Sequence, residues 1–503
     1  MIQNISGKSI SYWIESTPET NYSPWENNLS VDVAIVGAGI AGITAATLLK
    51  RAGKTVAVID GEKISRGVSG HTTAKVTSLH QLIYADLIQE HGEDKARLYA
   101  QSNQAALELV GKLVAEYGIE CDFSRQSAYT FTESANDVEQ ITAEVEAATK
   151  LGLPASFVRE TSLPFPVAGA VKFEQQAQFH VRKYLLHLAQ NIPGDGSYVF
   201  ENTRVQNVEE GKPCNVITER GNLQAQDVIV ATNIPILNEG LFFAKTYPKR
   251  SYIIGARIEQ SQGFEGMYIG SGEKYYSIRT TPDENGLLLL IGGGGHKVGS
   301  VEHTEEKYED LQEYARSRFG ITSIDYHWST QDFVSFDKLP YIGKLTPSSQ
   351  HIYVATGFSL WGMTNGTVSA MVLSDLILGV ENPWAKLYDA TRATPFLTVE
   401  GLKQNLDVGK HWLGDRLKGL GDSLADVKEG EGKIVTVNGE KIATYRDQNG
   451  TVNAVSAICS HLGCIVNWNS AEKTWDCPCH GARFSCQGKV LHGPAVNDLK
   501  ALD

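Results

Sequence analysis

The chain reads as three kinds of fold in one polypeptide. They are an α/β domain of Rossmann-like topology, an α+β domain built on an antiparallel sheet, and a small all-β domain at the C-terminus. Three observations predict this. A strand, glycine turn, helix and second strand run through residues 31–60. Segments alternating apolar and polar residues recur between residues 128 and 294. From residue 426 onward, short strand patterns with Asn-Gly turns surround five of the chain's seven cysteines.

The length of 503 residues gives room for two or three domains. A net charge of −13 disfavours nucleic acid and anionic membrane as partners, since both need a basic surface. The N-terminus lacks a basic start followed by an apolar core, and the longest apolar run, "VDVAIVGAGIAGITAATLL", carries glycines and an Asp. The expectation is a cytoplasmic protein with no membrane span. Cys121 and Cys214 stand apart from the other cysteines, as reduced core thiols do.

The first element is "VDVAIVG", a continuous buried strand. "GAGIAG" follows, with Gly37, Gly39 and Gly42 in the dinucleotide fingerprint. The first glycine permits the tight turn, the second lets backbone approach a pyrophosphate, and the third lets helix and strand pack closely. "ITAATLLKRAG" is the helix, whose N-terminal N–H groups would face the phosphates. "TVAVID" ends in Asp60, 23 residues after Gly37, where a carboxylate would bind ribose hydroxyls.

Later pieces choose between nucleotides. "DVIVATN" (227–233) is a strand running into a small-residue turn, and "DKLPYIG" (337–343) precedes the strand "HIYVATGFSLWGMTNG" (351–366) with a helix after it. Together with the fingerprint, this resembles the D-amino-acid oxidase/glycine oxidase (DAO) family of FAD enzymes over about residues 30–385. The resemblance implies FAD, with Gly357, Gly362 and Met363 where a helix N-terminus approaches the flavin. It places "RGVSGHTTAKV" (66–76) around the flavin, so Ser69, His71, Thr72 and Thr73 are expected contacts. In some members a His near this place is bonded covalently to the flavin; the alternative for His71 is a hydrogen-bonding or structural role. A Cys-linked flavin is disfavoured, because "YYSIRTTPDENG" (275–286) contains no Cys. No second GxGxxG opens a separate nicotinamide domain.

The substrate domain is expected in two pieces, about 77–179 and 241–334, with FAD-binding pieces at about 31–76, 180–240 and 335–385, all within 31–394. Residues 1–30 read as an N-terminal extension. A long amphipathic helix spans 92–118, and "AYTFTES", "SYIIGARIE", "KYYSIRTT" and "GLLLLIGGG" read as antiparallel strands. In the family such a sheet roofs the flavin. Tyr252, Tyr276, Arg279 and His296 on these strands, with Trp361 beside the flavin helix, are the pocket candidates; each is equally compatible with a packing role. No nucleophile–base pair is evident, and hydride transfer to flavin needs none, because the protein mainly binds, orients and desolvates.

Residues 395–425 read as a helical connector with glycine breaks, and 426–503 as the small β domain. It carries "CSHLGC" (459–464) and "CPCHGARF" (477–484). Two Cys and two His could hold zinc. However, each loop supplies one Cys, one His and a second Cys, whereas zinc fingers keep Cys with Cys and His with His. The pattern resembles the Rieske [2Fe–2S] family. That implies Cys459 and Cys477 as thiolate ligands, His461 and His480 as imidazole ligands, and Cys464–Cys479 as a disulfide clamping the loops. "GPA" (493–495) matches the proline loop over the cluster, and Cys486 has no family role. High-potential members carry a Ser and a Tyr whose hydroxyls bond the cluster and ligand sulfurs; here Ala482 and Phe484 stand instead, which implies a lower potential.

The joint reading is a flavin enzyme oxidising the C–N bond of a small amine or amino acid and passing electrons through the cluster to an external acceptor protein. Two rivals remain: electron flow from an external donor through cluster and flavin to a reducible substrate, and a redox-sensing or electron-storing module.

Overall fold

The computed structural model describes residues 6–26, 29–272, 274–284, 286–393, 426–437 and 439–502. The expected connector 395–425 lies outside the described residues.

The glycine-rich run folds as its chemistry dictates. Leu29–Val36 is a strand buried from Val33 onward, Ile40–Arg51 is the helix, and Val56–Ile59 is the wholly buried second strand. β-branched residues fill both strands, as a sheet covered on both faces requires. Around them an eight-stranded sheet runs in the order Tyr341–Lys344, Ile352–Thr356, Gly221–Val230, Leu29–Val36, Val56–Ile59, Tyr198–Phe200, with two further strands off this path. The pairings from Ile352–Thr356 to Tyr198–Phe200 are parallel. The helix Gly362–Leu378 packs on Ile40–Arg51 at close range: a Cβ on Gly366 would stand 2.7 Å from Ile40 Cγ2.

The substrate-domain strands form a ten-stranded sheet. Its centre is antiparallel: Tyr326–Ser335, Thr246–Ile258, Gly286–Lys297 and Ser277–Asp283 lie side by side. The expected long helix is found unbroken as Glu93–Tyr117; Gly92 (φ +84°) separates it from a shorter helix, Tyr84–His91, and it ends at Gly118 in the left-handed region. The N-terminal extension joins the fold. Lys8–Ser9 adds a parallel strand beside Tyr326–His327, and Trp13 is fully buried.

The last domain has a three-stranded sheet (Gly432–Val437, Glu440–Arg446, Val452–Ser456) and a four-stranded one (Asn467–Asn469, Thr474–Asp476, Arg483–Ser485, Val490–His492). Its core includes Trp475, Phe484 and four cysteines. It docks on the α+β sheet through buried polar contacts. Arg250 Nη2 meets Asp476 Oδ2 at 2.9 Å with both side chains buried, Gln331 Nε2 donates to Gly481 O at 2.7 Å, and Tyr308 OH donates to Glu472 Oε1 at 2.8 Å. Gly481 (φ +77°) permits this approach, because a Cβ there would lie 2.6 Å from Pro248 Cβ. Among the described residues, no helix is long and apolar enough to cross a membrane.

Candidate functional site

Two sites adjoin across this junction. The first is built by two short loops of matching form. Cys459 N donates to Cys464 O (2.8 Å) and Gly463 N to Cys459 O (3.0 Å); Cys477 N donates to Ala482 O (2.8 Å) and Gly481 N to Cys477 O (3.0 Å). Cys464 and Cys479 form a disulfide between the loops. Cys459 and Cys477 remain thiols and are buried. The rings of His461 and His480 stand 5.1 Å apart and nearly perpendicular. Both Nδ1 atoms are buried with no hydrogen-bond partner among the described residues. Asn238 Oδ1 engages His461 Nε2 at 2.8 Å, which fixes the proton on Nε2 and leaves the Nδ1 lone pair available. Burial keeps both imidazoles neutral, pushing their pKa down to about 4 and about 3. Two buried thiols and two buried, unpartnered imidazole Nδ1 atoms are a donor set for a metal centre. Phe243, from the other domain, packs edge-on against both histidine rings at 5.5 and 4.8 Å.

The second site is a long cavity between the two large sheets. Gly37 and Gly39 line it, with Asp60 and Glu62 at one end and Trp361, Gly362 and Met363 along one side. Gly37 has φ +106°, and a Cβ there would stand 2.5 Å from Ala231 O. Gly42 packs instead of lining: its Cβ would fall 1.9 Å from Gly37 O. Asp60 Oδ2 accepts from Ala38 N (2.8 Å) and Oδ1 from Glu62 N (2.9 Å), and burial raises its pKa. Ser69, Thr72 and Thr73 line the cavity, and Ser69 Oγ accepts from Ile40 N at the helix start (3.0 Å).

Other expected residues point elsewhere. His71 is outside the lining. Its Nδ1 faces Gly67 O at 2.9 Å within its own turn, and its carbonyl accepts from Trp328 Nε1. His71 thus stands next to the lining residues Ser69, Thr72 and Thr73 without lining the cavity itself. Gly357 (φ +74°) shapes a turn against Tyr341 and does not line the cavity. Of the pocket candidates, Tyr252 and Trp361 line it. Tyr276, just before the strand Ser277–Asp283, is stacked on Tyr314 at 3.6 Å, and Tyr275 takes the lining position. Arg279 turns to the carbonyls of Thr73 (3.0 Å) and Ala74 (2.7 Å). His296 stands behind Tyr252, its Nε2 3.0 Å from the phenol oxygen.

Several lining residues carried no sequence expectation. Lys75 is buried in the wall, with Nζ donating to Ser277 Oγ (2.7 Å) and to Tyr268 O. Burial and nearby Arg279 hold its pKa well below the usual lysine range. Arg279 is itself pushed down to about 9 by burial. Neither cation has a carboxylate partner among the described residues. A lysine between Ala74 and Val76 was the available signal, since a charge at a buried position needs a reason. Asp332 also lines the cavity. It accepts from Leu360 N (2.7 Å) and Phe333 N (2.9 Å), and burial raises it to about 6.

Comparison with known proteins gives these sites their setting. The family model "FAD dependent oxidoreductase" (DAO) matches residues 32–376, and the "Rieske [2Fe-2S] domain" model matches residues 422–503. A Bacillus subtilis protein named as a Rieske 2Fe-2S iron-sulfur protein, YhfW, is 37% identical over 499 residues, covering 98% of this chain and 97% of that one. Gamma-glutamylputrescine oxidoreductase of Escherichia coli is 23% identical over 414 residues, 78% of this chain and 93% of that one. Glycine oxidase from Geobacillus kaustophilus shares the fold, with TM-score 0.62 and 18% identity, over 72% of this chain and 99% of that one. Both cofactors implied by these families fit. The glycine cradle leaves room where side chains would block FAD, and the four donors suit a [2Fe–2S] cluster.

Proposed function

This chain belongs to the DAO family of FAD-dependent oxidoreductases and carries a Rieske [2Fe–2S] domain; from that premise we propose that it oxidises the C–N bond of a small amino acid and sends the electrons out through the cluster. When bound, FAD takes two electrons as a hydride and the cluster passes them on singly. The observation that carries the reading is the inward docking of the histidine edge. His461 and His480 are packed against Phe243 and Asn238 of the oxidoreductase domain, so the one-electron site is held against the domain that carries the two-electron site. A fused carrier works at an effective concentration that a diffusing one does not reach.

In this reading the substrate would lose a hydride from its α-carbon while its nitrogen lone pair closes a C=N bond, and water would hydrolyse the imine to carbonyl and amine; an external acceptor would take the two electrons. We assign Cys459, Cys477, His461 and His480 as cluster ligands. Gly37, Gly39, Asp60, Ser69, Thr72, Thr73, Gly362 and Met363 are assigned to the FAD site. Tyr252 and Trp361 exclude water over the cavity. Lys75 Nζ lies in the cavity wall, where burial disfavours its ammonium form; a substrate carboxylate beside it would restore that form and form a charged hydrogen bond with it, which favours an amino acid over a simple amine. The names glycine oxidase and gamma-glutamylputrescine oxidoreductase, held by proteins of this fold or family, agree with C–N chemistry.

The test is anaerobic mixing with a panel of amino acids and amines, following flavin absorbance and the cluster's EPR signal together. Flavin bleaching followed by a cluster signal supports the reading. Silence across the panel, with cluster and then flavin filled by an external reductant, overturns it. That outcome would support the reverse direction, which the buried, hydroxyl-free Ala482 and Phe484 favour.

A further inference from the structure

The cavity that fits FAD is not closed by the oxidoreductase domain. Leu491, His492, Gly493, Ala495 and Val496, all from the C-terminal domain, form part of its lining. They stand toward the Asp60 end. Arg204 lines that end, where a Cβ on Gly61 would lie 3.4 Å from its guanidinium carbon, and Arg204 Nη2 donates to Val490 O at 3.3 Å. The segment is pinned on its inner side too. Asn233 Nδ2 donates to Gln331 O (3.1 Å) and to His492 Nε2 (3.2 Å), and His492 Nδ1–H donates to Gly493 O (2.9 Å). One tautomer satisfies both ring nitrogens, and the ring stacks on Phe333. Gly493 sits against Ile234 and Ile236, where a Cβ would be 3.8 Å from each. Leu491 lines the cavity and keeps 42% of its surface exposed.

We propose that FAD in this protein is held by both domains: Leu491–Val496 is the outer wall of the Asp60 end, and flavin enters and leaves only when the cluster domain lifts away. The docking contacts therefore govern flavin retention. They include the Arg250–Asp476 pair and the Gln331–Gly481 hydrogen bond, and neither Arg250 nor Gln331 lines the cavity. The inference goes beyond the substrate reading and does not depend on turnover.

The experiment uses the full-length holoprotein, diluted into buffer, with release of FAD followed by its fluorescence and cluster occupancy followed by EPR. Arg250→Met weakens docking and His492→Ala opens the wall. Each should release FAD on the order of tenfold faster than the parent chain, with the cluster signal retained. If Arg250→Met cannot be purified, His492→Ala decides alone. Release at the parental rate from every variant that retains its cluster overturns the proposal.

Discussion

The cluster pocket and the flavin cavity are neighbours built on opposite plans. The pocket draws all four donors from residues 459–480, and two backbone loops of the same form set their directions. The cavity takes its walls from residues 36–81, 204–293, 330–363 and 491–496. The difference follows from the ligands. A metal cluster needs a few particular atoms at fixed angles, so a short motif can carry it. A dinucleotide needs to be enclosed, and enclosure comes from tertiary packing.

The contrast can be tested by breaking each plan in turn. The largest effect belongs to the motif. Cys459→Ser or Cys477→Ser should abolish the cluster, with iron content and EPR signal falling to background; a retained signal would remove those thiols from the ligand set. Next is the junction. Arg250→Met leaves Asp476 buried without its main counter-charge, and should cost about 3–5 kcal/mol of docking. Calorimetry should then resolve separate unfolding transitions for the two domains, and a single unchanged transition would contradict the assigned role of the pair. Lys75→Met tests the enclosure. It should raise KM for a carboxylate-bearing substrate by about 10- to 100-fold, the worth of a charged hydrogen bond, and leave simple amines unaffected. An equal effect on both would make Lys75 structural. The smallest effect is the double change Ala482→Ser, Phe484→Tyr. Each hydrogen bond to sulfur is worth about 1 kcal/mol, or roughly 40 mV for one electron. The cluster potential should rise by that order in a redox titration, and no rise would dismiss the hydroxyl argument.

Legibility in the sequence followed the same division. The glycine turn was readable because each glycine answers a local demand: Gly37 its positive φ, Gly42 its contact with Gly37 O. The cysteine and histidine loops were readable because ligand, spacer and disulfide partner lie within a few residues. The roof was readable as strands but not as a surface. Tyr275 and Tyr276 are neighbours just before the strand Ser277–Asp283, and stacking on Tyr314 decided which of them left the cavity. Arg279 was on the expected face, but three backbone carbonyls claimed its donors. His71 found an acceptor in its own turn, a local competition that motif matching does not weigh. The lining by Leu491–Val496 had no sequence signal, because its partner Asn233 is more than 250 positions away.

The burial of Arg250 and Asp476 has a further consequence, for ionic strength. Mobile ions screen exposed charges over about 10 Å at 0.1 M salt, but they do not reach a pair from which water is excluded. The junction between the domains should therefore hold from dilute buffer to concentrated salt. Handover to an outside carrier, which must meet an acidic surface of net charge −13, should change strongly over the same range. Stopped-flow traces across a salt series would separate the two steps: an internal phase of constant rate, and an outer phase that moves with the salt.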